Sequence, residues 1–489
     1  MDDLNQPVPP PVTEPPFPIP VDTQGEAVPS STPPSTPLGT SPPPPPTGEP
    51  AQMQEPFLKR FLPLIIGGII LLLLFFLVAK VILPRFQKAP EPETINLTYW
   101  GLWEPENIVS QVIEDYRALH PNVTISYTRQ APQDYRARLQ SALARGDGPD
   151  IFRWHNTWLP MLKADLSPIP DSVYSPNEFD TTFYPVVKTD VFSGGNYLGV
   201  PIEFDTLALY VNEDVMEQNP DLKVPTTWDN LRQTAFRLKQ VDPVTNQLTR
   251  GGIALGTTSN VDHFSDIVGL MILQNGGDPG NPSTDTVASA LKFYTLFSLA
   301  DGTWDETLPN STLAFATGKV VMMLAPSWRA LEVKAINPQL NFKLYPAPQL
   351  PGTNITWASY WLEGVSRKSL KQEAAWEFVK YLSSRDTLLK FYNLASQNRL
   401  FGEPYARQDM ASLLQQDPYL GAVINQAIAA RSFPLASRTF DDGINDKLIK
   451  YYEDAINGLL DQGNEETIFA ALSGGVAQVL AQYGLSTSH

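Results

Sequence analysis

Apolar residues along this chain change their period, and the changes divide it. Residues 61–79, FLPLIIGGIILLLLFFLVA, carry no charge over nineteen positions. As a helix rising ~1.5 Å per residue, such a stretch approaches the ~30 Å hydrocarbon thickness of a bilayer. It predicts a single-pass transmembrane helix within residues 59–84, with Pro63 in the first turn, where a missing N–H costs little. From residue 95 the period alternates between two and 3.6. INLTYWGLW (95–103) has the alternation and the β-branched and aromatic content of a strand. Residues 104–119 set Ile108, Val112, Ile113, Tyr116 and Leu119 at helical spacing, and Pro121 stops the pattern. VTISYT (123–128) is a second strand, 135–144 an amphipathic helix closed by Gly146, and PDIF (149–152) the start of a third strand. Strand and helix in alternation predict parallel pairing with right-handed crossovers, hence an open α/β sheet.

The alternation continues. NYLGVPIEFDTLALYVN (196–212) holds two extended segments meeting near 203–206, and a helix opens at Pro225-Thr226-Thr227-Trp228. GGIALGTT (251–258) and KVVMMLA (319–325) are strands, with helices at 264–274 and 286–300 between them. Residues 370–383 form a helix with Ala374, Ala375, Phe378, Val379 and Leu382 on one face, and two helices near 444–461 and 465–483 finish the chain. A unit spanning 95–489 is large enough to divide into two lobes. The first is expected over about 95–204 and 345–403, the second over about 208–342 and 405–489. Extended segments near 203–208 and 343–352 are the candidates to cross between them, forming a hinge with a ligand cleft beside it.

Composition adds what periodicity leaves out. Residues 1–58 contain no Lys or Arg and hold 19 of the 47 prolines, whereas all ten tryptophans lie beyond residue 95. So few large apolar residues cannot offset the entropy of ordering, and the tail is expected to be disordered, followed after the helix by a Pro/Glu linker at 85–94. A net charge of −17 without any basic stripe excludes general nucleic-acid affinity. The absence of cysteine excludes disulfides, zinc–thiolate sites, a cysteine nucleophile and a lipidated-cysteine anchor. Lys59 and Arg60 before the apolar stretch and Lys80, Arg85 and Lys88 after it leave orientation unset by charge.

Catalytic motifs are lacking. The four histidines, His120, His155, His263 and His489, form no HExxH pair. GxSxG and the phosphate-binding GxxxxGK[ST] are absent, and the acidic clusters at 301–306 and 441–446 do not match a twelve-residue calcium loop. No cofactor or metal is expected. A pair of carboxylates for glycosidic cleavage stays open as an alternative chemistry. What stands out is aromatic. Trp154, Trp158, Trp304, Trp328, Trp357, Tyr360 and Trp361 recur at strand ends and loops. Indoles stack on the C–H faces of sugars while polar side chains satisfy the hydroxyls, and such a site rejects ligands that leave its polar groups unpaired. Trp100, Trp228 and Trp376 lie inside strand or helix patterns and are assigned to the core. Trp154, Trp158 and Trp361 are assigned to a ligand wall, the first two because GDGPDIFRWHNTW (146–158) places them at the carboxyl end of a parallel strand.

The ordered segments GDGPDIFRW, YLGVPIEFDTLALYVN, PTTWDNL, FATGKVVMMLAPSW and GVSRKSLKQEAAWEFVKYLSS together resemble extracellular solute-binding protein family 1. These are the sugar-binding receptors of ATP-driven importers. The resemblance covers about 95–489 and implies a two-lobed type II periplasmic-binding fold, here behind a disordered tail and one transmembrane helix. It implies no enzymatic activity, a carbohydrate ligand, and the permease subunits of an ABC importer as partners. By position it carries ligand contacts onto Trp154, His155, Asn156, Thr157 and Trp158, onto Glu203 and Asp205, onto Asp262, His263 and Phe264, onto Trp328, and onto a late loop near Arg438–Asp442 that includes Asp441. Tyr360 and Trp361 stand where many members have a Gly-Gly pair, so the cleft is expected to be narrowed there. A receptor of this kind works outside the cell, which implies a cytoplasmic tail. A surface-anchored glycan-processing enzyme and a sensor signalling through the Pro-rich tail are the alternatives.

Overall fold

The computed structural model describes residues 58–78, 80 and 94–485. The chain separates into two compact units, Met1–Ala89 and Pro90–His489. In the first, the backbone is helical over Leu58–Leu77, and the side chains described there, 64–77, are exposed and apolar. The stretch with described side chains is shorter than a span needs, and among the described residues no helix is long and apolar enough to cross a membrane. The expected tail (1–58) and linker (85–94) lie, but for their last residues, outside the described residues.

The second unit is built on two five-stranded sheets. In one, Ile95–Gly101 lies between Val123–Arg129 and Ile151–His155, parallel to both. The first strand alternates, with Leu97, Tyr99 and Gly101 inward. The helix Glu106–Leu119 covers that face with Ile108, Val109, Val112 and Tyr116. The helix Tyr135–Arg145 ends at Gly146, whose φ of 87° lies in the left-handed region that a side chain disfavours. Trp361–Val365 and Val200–Pro201 complete this sheet, and Trp361–Val365 runs antiparallel to Ile151–His155. The other sheet has the order Phe342–Pro346, Leu207–Asn212, Val320–Pro326, Leu248–Ile253, Gln240–Val241. Val320–Pro326 is antiparallel to Leu207–Asn212 and parallel to Leu248–Ile253. The first three strands thus pair in parallel as their alternation with helices predicts, while each sheet as a whole is mixed, because strands that follow a passage from the other sheet enter in the opposite direction.

The chain passes between the sheets three times. Val200–Pro201 belongs to one sheet and Leu207–Asn212 to the other, so residues 202–206 make the first pass. Phe342–Pro346 and Trp361–Val365 bracket the second. The third runs from the helix Arg385–Ser396, packed on Glu106–Leu119, to Gly421–Gln426, packed on Phe342–Pro346. The passes are tied to each other: the Ser359 N–H donates to the Asp205 carbonyl at 3.1 Å and the Phe204 N–H to the Pro404 carbonyl at 3.0 Å.

Trp154 sits in the core of the first sheet, fully buried. Its indole lies against two glycines: a Cβ on Gly199 would come within 2.5 Å of Trp154 Cζ2, and one on Gly364 within 2.8 Å of its Nε1. Gly199→Ala is therefore expected to destabilise the folded chain by about 1–3 kcal/mol, as overpacking does. Chemical denaturation of the variant checks this, and an unchanged midpoint would contradict the packing.

Candidate functional site

A cavity of about 510 Å³ opens where the three passes meet, with walls from both sheets. From the first sheet's side come Trp103, just beyond Ile95–Gly101, and His155, at the end of Ile151–His155. The passes contribute Glu203, Phe204 and Asp205, then Ser359, Tyr360 and Trp361, then Arg399, Glu403 and Pro404. The second sheet's side supplies His263, Asp266, Trp328, Arg329, Glu332, Ser437, Arg438 and Phe440.

The aromatic walls are built in layers. Trp361 meets Trp103 edge-on at 5.4 Å between centroids, His155 at 5.0 Å and Trp158 at 5.2 Å. Trp158 is fully buried and lies behind Trp361. On the facing side, Trp328 precedes the helix Arg329–Ile336 and is 39 % exposed, the most open of the cavity's described indoles. The Arg329 guanidinium lies 4.4 Å from its ring centroid, and His263 meets it edge-on at 5.5 Å. Phe204 and Tyr360 stack obliquely at 5.0 Å between the two walls.

Polar groups around the cavity are held firmly. Asp205 accepts from Thr206 N–H at 2.7 Å, Ser327 N–H at 3.1 Å and Ser327 Oγ–H at 2.8 Å. Burial pushes its carboxyl up to about 7, against these donors, which pull the other way. His155 bonds Thr157 Oγ1 through Nδ1 at 2.8 Å and Ser359 Oγ through Nε2 at 3.1 Å. Burial pulls it down to about 3, so its ring is neutral near pH 7. His263 accepts from Arg329 Nε–H at 3.0 Å, and its Nδ1 lies 2.8 Å from Ser437 Oγ. Glu203 is pushed well above the ordinary range by burial first, with the Glu403 carboxylate adding to it.

Of the residues expected to touch a ligand, His155, Glu203, Asp205, His263, Trp328, Tyr360 and Trp361 are brought together on the cavity. The others are placed elsewhere. Trp154 and Trp158 do not line it, which corrects the reading of GDGPDIFRWHNTW as a wall: both indoles pack inside the first lobe, with no partner for either Nε1. Trp154 fills the space over two glycines, and Trp158 backs Trp361. Asn156 and Thr157 line a second cavity of about 350 Å³. There the Asn156 amide donates to Asp190 at 2.9 Å, and its side-chain oxygen accepts from Tyr360 N–H at 3.2 Å. Asp262 is buried, accepting from Thr312 Oγ–H at 2.7 Å and pairing with Arg438 at 2.6 Å, so it orients a cavity residue without reaching the space. Asp441 is also buried, accepting from Gly443 N–H and from both nitrogens of Asn445, whose amide reaches Thr157 Oγ1 at 2.7 Å.

Sequence reasoning missed Trp103, Phe204, Arg329, Glu332, Arg399 and Glu403, whereas the late loop near Arg438–Asp442 reaches the cavity through Arg438 and Phe440. Trp103 was open to the same rule applied to Trp154, since it too follows the carboxyl end of a parallel strand. Arg399 and Glu403 lie on the third pass, which no motif or period marks.

Comparison with known proteins bears on the family and on the fold. Residues 103–387 match the family of bacterial extracellular solute-binding proteins. A maltotriose-binding protein of Pyrococcus abyssi is 23% identical over 316 residues, 60% of this chain. The chain spans 64% of that relative's length. Among solved structures, the sugar-binding protein MalE of Xanthomonas citri superposes with a TM-score of 0.66 at 20% identity, covering 79% of this chain and 98% of that one. A cyclo/maltodextrin-binding protein complexed with maltotetraose gives 0.64 at 16% identity, covering 80% and 99%. These structural likenesses establish the two-lobed fold.

The buried, neutral His155 has a consequence for stability. Its folded-state pKa lies below the ordinary 6.5, so its contribution is complete above pH ~6.5 and is lost as pH falls toward 3. Thermal melting of the native chain and His155→Gln between about pH 7 and pH 4 should show the native chain losing stability relative to the variant as acid is added. Parallel melting curves would contradict a neutral, desolvated imidazole.

Proposed function

The chain belongs to the bacterial extracellular solute-binding proteins, and from that premise we propose that it is a membrane-anchored receptor that binds a carbohydrate between its lobes and delivers it to an ABC importer. The observation that carries the reading is the cavity at the three passes, with Trp328 facing Trp361 and Trp103 across a space of about 510 Å³. Two indole walls with Glu203, Glu332, Ser437 and Arg438 between them suit a ligand that is apolar on its faces and hydroxylated at its edges. Trp328 and Trp361 stack on the sugar, and the polar groups take its hydroxyls. Asp205 and His263 line the same space, held in place by their bonds to Ser327 and Arg329. The maltotriose-binding relative and the maltotetraose-bound neighbour support a gluco-oligosaccharide as the first class to test.

Solute binding stabilises the arrangement in which both walls touch the ligand, and the importer's permease recognises that arrangement. No bond is made or broken in the cavity. The anchor is the apolar stretch 61–79, helical over Leu58–Leu77, with the binding unit outside the cell and the Pro-rich tail within it. Lacking a cysteine to lipidate, the chain depends on this helix to stay at the membrane. The full chain is expected in the membrane fraction, resistant to alkaline carbonate, with Pro90–His489 digested by protease added to intact cells.

Calorimetry of the detergent-solubilised chain against maltose, maltotriose, maltotetraose and a panel of other oligosaccharides tests the ligand class. At least one is expected to bind, and Trp328→Ala or Trp361→Ala to weaken it about tenfold or more, as removing a stacked aromatic anchor does. Binding of a non-carbohydrate metabolite alone would overturn the sugar assignment and leave the receptor standing.

A further inference from the structure

One end of the cavity carries more negative charge than its neighbours balance. Glu203 and Glu403 line it from the first and third passes. Behind them stands Glu104, its side chain 8% exposed, with Oε2 buried and without a partner. Oxygens of the three carboxylates lie within 4.8 Å of one another. Two cations reach this group. Arg153, wholly buried, pairs with Glu104 at 2.5 Å and with Glu363 at 2.6 Å, and Arg399 pairs with Glu403. Four carboxyls (Glu104, Glu203, Glu363 and Glu403) thus face two guanidiniums. A buried carboxylate without a counter-charge is costly, and protonation or a bound cation relieves it.

We propose that the solute bound in this cavity carries a protonated amine, seated on Glu203, Glu403 and Glu104 beside Trp103. The proposal rests on the cavity being the solute site and narrows its ligand to an amino sugar or an oligosaccharide containing one. An ammonium has three donors and here meets three acceptors. Acceptors set around a tetrahedral nitrogen at about 2.8 Å stand roughly 4.6 Å apart, which the observed spacing accommodates. Trp103 lines both this cavity and an adjoining one that Glu104 and Glu403 share, so its electron-rich face is available to the same cation. A divalent metal ion fits less well. It takes about 6–8 oxygens, whereas Arg153 and Arg399 already hold one oxygen each of Glu104 and Glu403.

Calorimetry on the detergent-solubilised full chain near pH ~6, where a sugar amine is protonated, compares glucosamine di- and trisaccharides with their N-acetylated counterparts and with maltotriose. The free amines are expected to bind at least ~10-fold tighter than the acetylated forms, and Glu203→Gln to shrink that ratio toward one. A melting curve confirms that the variant is folded, and the native chain's preference stands as a test without it. Acetylated or neutral sugars binding as tightly as the amines would overturn the amine and leave the carbohydrate reading intact. Affinity for neutral sugar that rises on adding calcium, without amine preference, would also overturn it. Failure of every sugar to bind would overturn both readings.

Discussion

The backbone runs three times between two sheets whose buried residues form one continuous hydrophobic cluster, and the three passes are hydrogen-bonded to one another. Ser359 N–H to the Asp205 carbonyl joins the second pass to the first, and Phe204 N–H to the Pro404 carbonyl joins the third. Asp205 then fixes the first pass to the second sheet, through Ser327 at the end of Val320–Pro326. Gln426 closes the arrangement by donating to Thr206 Oγ1 at 2.7 Å and the Leu207 carbonyl at 2.6 Å. Buried backbone polar groups outside regular strands need such partners, and here the partners belong to the neighbouring pass. Because the passes cannot separate without breaking these bonds, relative motion of the lobes is confined to rotation about them.

That constraint also decides where the chemistry lies. A cavity beside a three-strand hinge takes one wall from each lobe, so a ligand filling it touches both only when they come together. Trp328 belongs to one wall, and Trp103 and Trp361 to the other. Other contacts join the lobes near the mouth: Arg136 on the helix Tyr135–Arg145 donates to the Asp441 and Asp442 carbonyls. The loop around them places Arg438, Phe440 and Asp442 at positive φ, a strained geometry that persists only where surrounding contacts enforce it.

Much of this was legible in the sequence. The periods of two and 3.6 located the helices that finish the chain, Ile444–Leu460 and Glu465–Gln482, and the strands that carry the first sheet. The two extended segments in 196–212 marked the first pass. The site was only half legible, and the reason is geometric. Trp154 and Trp361 are both aromatic residues at strand ends, yet one points into a core floored by Gly199 and Gly364 while the other points outward over Trp158. Strand alternation decides between those faces, and a run such as WHNTW does not reveal its phase until the pairing partner is known. Strand direction was hidden likewise, since Trp361–Val365 reaches its sheet from the far lobe and enters antiparallel. Arg399 and Glu403 on the third pass obey no period, because the stretch around them, ahead of the short 3₁₀ helix Gln408–Leu413, forms neither a regular strand nor a helix.

A distance between the lobes, measured with and without ligand, tests the account most directly. The chain has no cysteine, so Arg145→Cys and Lys450→Cys introduce the two sites for spin labels. Both side chains are exposed, one on a helix of the first lobe and one on Ile444–Leu460 of the second. With the oligosaccharide that binds in calorimetry at saturation, the distance distribution measured by pulsed electron resonance should shorten and narrow. An identical distribution with the ligand bound would contradict a receptor that works by closing about the three passes.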